Sequence, residues 1–116
     1  MDRGHMPNLP EEMQEKIRQL QMIEQQLQQL MLQKQTHQLQ VMETDSALKE
    51  LSGAGEAYKI IGSIMVLTNR ESLEKDLKEK KETAELRISS LEKQEAKTRE
   101  RASALQKEVI AAMNKK

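Results

Sequence analysis

From Met13 onward the apolar residues fall at alternating intervals of three and four, and they do so for six heptads. One position of the repeat holds Met13, Leu20, Leu27, Lys34, Val41 and Leu48; the other holds Lys16, Ile23, Leu30, His37, Thr44 and Leu51. Eight of these twelve are apolar, which commits the segment to a long helix with a single narrow seam. Such a helix has little to bury on its other faces, so another helix must cover the seam.

The helix is expected over residues 9–52. Asn8 can cap it with Glu11 three residues on, and Pro10 is tolerated in a first turn whose N–H groups lack partners anyway. Ser52-Gly53-Ala54-Gly55 supplies a glycine just past the last turn and begins a flexible link over 53–56. Residues 1–8 read as a flexible N-terminus, with Met1-Asp2-Arg3-Gly4-His5 set outside the fold argument.

A second helix is expected over 69–113, followed by a tail at 114–116. Thr68-Asn69-Arg70-Glu71 has the spacing of a capping box. Its seam runs through Leu77, Ala84, Leu91, Thr98, Leu105 and Ala112 at one position; Ile88, Ala102 and Val109 alternate with Lys81 and Glu95 at the other. Glu71/Lys75, Glu74/Lys78, Asp76/Lys80 and Glu95/Arg99 are i,i+4 pairs in the favourable order. Residues 11–51 hold 4 Lys+Arg against 7 Asp+Glu, and residues 70–116 hold 13 against 10, so the arms carry −3 and +3. Arms of similar length and opposite charge favour an antiparallel coiled coil folded back in cis.

Between the arms, residues 57–68 are the densest run of β-formers and contain the only tyrosine. Two apolar runs flank Gly62-Ser63, the signature of a two-residue hairpin with glycine first in a type II′ turn. Ile61 then faces Ile64, Ile60 faces Met65, Lys59 faces Val66 and Tyr58 faces Leu67. Both faces are apolar and both edges open. A lone two-stranded hairpin is marginal in water, and no other segment can add a third strand. Tyr58, Ile60, Ile61, Gly62, Ile64, Met65, Val66 and Leu67 are therefore the candidate oligomerisation residues.

Aromatics are 1% of the chain and charged residues 33%, with a mean hydropathy of −0.80, so a large globular core is poorly provided for. Zero net charge, with bases interleaved among acids and no aromatic platform, argues against nucleic acid and against a membrane surface. No apolar run approaches the roughly 20 residues of a membrane span, and no signal peptide is visible. The absence of cysteine removes thiol chemistry and fits a reducing compartment.

No catalytic, metal or cofactor site is expected. His5 and His37 are far apart without converging carboxylates, and His37, one turn from Lys34 on the seam, reads as a register-fixing polar layer. Gly53-Ala54-Gly55 follows a helix, the wrong context for a phosphate loop. The glutamines between Gln14 and Gln40 lie mostly off the seam and read as a solvated helical face.

In a cis hairpin of helices the start of the first and the end of the second converge. This gathers Met6, Leu9, Met13, Ile17, Leu105, Val109, Ile110 and Met113 as a candidate contact surface, with Leu20 nearby. Methionine suits surfaces that accommodate varied partners. Two readings stand beside each other. Seam closure suits Leu20, Leu105 and Val109; contact with a bound chain suits Met6, Leu9, Ile110 and Met113, off the seam or beyond its end.

Helix, short glycine link, Ala57-Tyr58-Lys59-Ile60-Ile61-Gly62-Ser63-Ile64-Met65-Val66-Leu67, then helix: this arrangement over residues 7–116 resembles the β-class subunits of the prefoldin family. The Leu91-Glu92-Lys93-Gln94-Glu95 stretch adds a separate likeness. A single hairpin marks the β class, since α-class subunits carry two. The resemblance implies a hexamer of two α and four β subunits whose hairpins build an intersubunit β-barrel body with coiled-coil tentacles. It further implies ATP-independent capture of unfolded polypeptides at the tentacle tips and delivery to a group II chaperonin in the cytoplasm. The short tail Asn114-Lys115-Lys116 departs from the family pattern and bears on chaperonin docking. Two other readings remain: a structural coiled-coil tether with specific partners at its ends, and a homodimeric long coiled coil broken by the hairpin.

Overall fold

The computed structural model describes residues 10–53 and 56–114, in the order α1 (Glu11–Ser52), β1 (Ala57–Ile61), β2 (Ile64–Thr68) and α2 (Arg70–Met113). The fold is mainly α, with two long helices joined by one antiparallel hairpin. No helix among the described residues is long and apolar enough to cross a membrane.

The heptad pattern predicts burial closely. All twelve seam residues of α1 are buried or half-buried, and elsewhere in that helix only Gln14, Ile17 and Ala47 are shielded. In α2 ten of the eleven seam residues are shielded, the exception being Ala112 near the helix end. Glu74, half-buried, extends that seam by one more repeat.

The chain forms two units. In the first, residues 10–32 with 92–114, the core is a line of seam residues: Met13, Ile23 and Val109 are buried, with Ile23 only 2% exposed. Lys16 occupies a seam position, lays its stem along the groove and sends its ammonium 2.9 Å to Glu108 on α2. A weaker contact of 3.6 Å joins it to Glu12 one turn back.

In the second unit, residues 33–91, the buried residues are Thr44, Leu51, Ala57, Ala84 and Leu91. Lys81, another seam lysine, reaches Asp45 at 2.7 Å, and Arg70 donates to the Ser52 carbonyl at 2.8 Å. Going from residue 45 to 52 on one helix means going from 81 back to 70 on the other, so the helices are antiparallel. The buried Thr44 hydroxyl donates to the Gln40 carbonyl at 2.6 Å and is satisfied within its own helix. His37 Nδ1 lies 3.0 Å from Gln40 Oε1, also on its own helix, so the seam histidine takes a local partner. Ala84, 3% exposed, is the most shielded residue of the second unit's α2 seam.

The helix ends differ from expectation in three places. Pro10 precedes α1 instead of lying in its first turn, and its carbonyl accepts the first helical bond from the Gln14 amide at 3.0 Å. Asn8, the expected cap, lies outside the described residues. At the C-terminus Gly53 does not take a left-handed conformation. Its amide donates to Glu50 O at 3.3 Å in a tightened last turn, while Ser52 Oγ and Arg70 cover the carbonyls of Lys49 and Ser52. With those carbonyls satisfied by side chains, a left-handed glycine is not needed.

At the start of α2 the cap is Asn69, not Thr68. Asn69 Oδ1 accepts from the amides of Glu71 at 2.8 Å and Ser72 at 3.3 Å. Thr68 is committed to β2, paired with Ala57, which moves the helix start one residue on and dissolves the expected box with Glu71.

Candidate functional site

The hairpin belongs to the second unit. Its register is Tyr58↔Leu67, Lys59↔Val66, Ile60↔Met65 and Ile61↔Ile64, as a two-residue turn at Gly62-Ser63 requires. Gly62 has φ +61°, and no other described residue has positive φ. Ser63 is therefore on the ordinary side, which is the type II′ pattern and not type I′. A Cβ at Gly62 would meet no atom within 4 Å, so only backbone conformation demands glycine there.

All seven large apolar residues of the hairpin, Tyr58, Ile60, Ile61, Ile64, Met65, Val66 and Leu67, are 41–68% exposed. The two faces are not equivalent. On the face of Lys59, Ala57 is buried, Thr68 half-buried and Val66 the least exposed of the seven. Lys59 Nζ also lies 3.8 Å from Asp76 Oδ2 on α2. This face leans on its own helices at the base, where an open groove is lined by Thr44, Ala47, Leu73 and Leu77 together with Tyr58 and Lys59. On the opposite face Ile60, Met65 and Leu67 are 62–68% exposed, while Tyr58 and Ile60 also reach the edge of that groove. The Tyr58 hydroxyl donates to Glu56 at 2.8 Å, which leaves the ring as apolar surface. The Lys59–Asp76 tether has no signal in the sequence beyond opposite charge.

The other candidate residues belong to the first unit. Met13 and Val109 are buried in the seam, Ile17 and Leu105 are half-buried, and Ile110 and Met113 are exposed at 58% and 56%. Met6 and Leu9 lie outside the described residues. The structure also exposes apolar residues that a seam-based reading passes over: Met22, Met31, Leu32, Leu39 and Met42 on α1, and Leu86 on α2. Their signal was available, because residues 25–42 contain a single charged side chain, Lys34.

A family model described as prefoldin subunit matches residues 14–116. The chain belongs to the prefoldin family, in its β class. The prefoldin subunit beta of Archaeoglobus fulgidus is 38% identical over 107 residues, covering 90% of this chain and 92% of that one. The Thermococcus onnurineus subunit is 37% identical over 111 residues, covering 93% and 96%. The crystal structure of the prefoldin beta subunit from Thermococcus strain KS-1 superposes with a TM-score of 0.88 at 35% identity, covering 96% of this chain and all of that one. As a prefoldin β-class subunit, this is a chaperone-type chain that assembles with other prefoldin subunits. The seven large apolar residues of the hairpin each keep 41–68% of their surface exposed among the described residues.

Proposed function

We propose that this prefoldin subunit joins two α and three further β subunits through residues 57–68, building a body of shared β-barrels. The free ends of its helices then capture unfolded polypeptides without ATP and pass them to a group II chaperonin in the cytoplasm. The observation that supports the assembly step is a ten-residue ladder whose large apolar side chains are all exposed in the single chain. Open strands of this kind are completed by strands from another chain.

For capture, Ile110 and Met113 offer apolar surface beside a seam that Met13 and Val109 hold closed. Each such contact is weak. Several helix ends engaging one client raise the effective concentration of every further contact, so avidity substitutes for a deep pocket. Release needs only a competing multivalent surface, and no nucleotide enters the cycle.

The test is suppression of aggregation of unrelated denatured proteins by the assembled complex. Met6, Leu9, Ile110 and Met113 changed together to Ser should abolish suppression and leave the size of the complex unchanged. Undiminished suppression would remove the helix ends from the mechanism. A complex that ignores every denatured protein offered would instead be a tether.

A further inference from the structure

We propose that Met65 is an oxidation site that controls entry of the subunit into its assembly, open to hydroperoxides in the free chain and shielded once the hairpin is paired. The inference rests on the hairpin being the assembly surface. Met65 is 65% exposed, pairs with Ile60 across the ladder and shares a face with Tyr58 and Leu67. The chain has 8 methionines and no cysteine, so thioethers are the softest nucleophiles it offers to a peroxide. Among the described methionines, Met65 alone lies in the hairpin; Met22, Met31, Met42 and Met113 are exposed on helices, and Met13 is buried.

In the step itself the Met65 sulfur attacks the terminal oxygen of a hydroperoxide. An S–O bond forms as the O–O bond breaks, sulfur loses two electrons to the peroxide, and the proton leaves with the other oxygen as water or an alcohol. The product places a strong acceptor on a surface that must become dry. The neighbouring side chains cannot satisfy it: Ile60 and Leu67 have no donor, and the Tyr58 hydroxyl already donates to Glu56. A buried acceptor without a donor weakens association by roughly tenfold or more. An assembled hairpin excludes the oxidant, so the modification bars recruitment of new subunits while sparing complexes already built.

The experiment treats the free chain with hydrogen peroxide, maps sulfoxides by peptide mass spectrometry, then titrates the chain with its α-class companion. Wild-type chain carrying the Met65 sulfoxide should associate at least about tenfold more weakly, and enzymatic sulfoxide reduction should restore it. Met65→Leu, a volume-conserving swap, should associate with the same affinity before and after the treatment, whatever that affinity is, despite sulfoxides at Met22, Met31, Met42 and Met113. Met65→Gln should weaken assembly with no oxidant present. Peroxide applied to the finished complex should spare Met65 while modifying Met42 and Met113. Unchanged association of Met65-oxidised chain, or equal loss in Met65→Leu, overturns the proposal. An unoxidised Ile60→Asp chain that still assembles would instead bring down the hairpin interface on which it rests.

Discussion

Lys81 Nζ stands 2.7 Å from Asp45 Oδ1, joining a seam position of α2 to the flank of α1. The lysine stem covers apolar seam while its charge leaves sideways, so a residue that breaks the hydrophobic repeat also fixes the register. Asp45→Lys should therefore lower the thermal midpoint of the helical circular dichroism signal, and Asp45→Lys with Lys81→Asp should recover most of it. Equal loss in single and double variants would show that the pair contributes nothing to pairing of the helices.

Dependence on pH follows from three ionic contacts. The hydrogen bond to Glu108 raises Lys16 above the ordinary lysine value of 10.5, against a smaller opposing effect of burial, and the hydrogen bond to Asp45 raises Lys81 likewise. Their stabilisation is complete below the unfolded value and is lost as pH climbs through the folded ones. The hydrogen bond from Lys78 lowers Glu74 below 4.5, so its contribution is complete above that value and is lost as pH falls through the folded one. Thermal midpoints should form a plateau between roughly pH 6 and 9 and fall on both sides. A midpoint that rises above pH 10.5 would contradict the lysine assignments.

Gly62 is required for its φ of +61° and not for space. Gly62→Val forces a β-branched residue into the left-handed region, at a cost of about 1–3 kcal/mol. Gly62→Asn, which tolerates that region, should cost less. Sizing chromatography with the α-class companion should show assembly weakened by the valine and largely kept by the asparagine.

Asn69→Ala removes the acceptor for two amides at the start of α2 and should destabilise by about 1 kcal/mol. Urea denaturation of the complex measures it, with Glu71→Gln as a near-neutral control.

Ile23, 2% exposed, is the most shielded residue of the first unit's seam. Ile23→Ala should cost about 2–4 kcal/mol, read as a lower denaturation midpoint. Met22→Ala next to it, on the exposed side, should change the midpoint little.

The seam and the ladder were readable in the sequence because each rests on a strict period. A residue such as Thr44 or Lys34 is shielded by its place in the heptad whatever its chemistry, and Ile60 must face Met65 once the turn is two residues long. The helix ends were not readable, because several local hydrogen-bond solutions compete there. Thr68 and Asn69 are both good caps, and the choice fell to Asn69 because pairing with Ala57 holds Thr68 in the strand. Gly53 looked like a left-handed terminus, yet side chains of Ser52 and Arg70 do that work. For the candidate site, off-seam Ile110 and Met113 were legible as exposed. The asymmetry of the hairpin faces was not, since it depends on Lys59 meeting Asp76 across folded chain.

A ribbon bare on its outward side carries an obligation beyond architecture. Under the hairpin assembly proposed above, copies made in excess of their companions are orphans with adhesive strands, prone to stick to one another or to nascent chains. The supply of both subunit types must be matched, and unmatched copies cleared, or a folding helper becomes a seed for the clumps it exists to prevent.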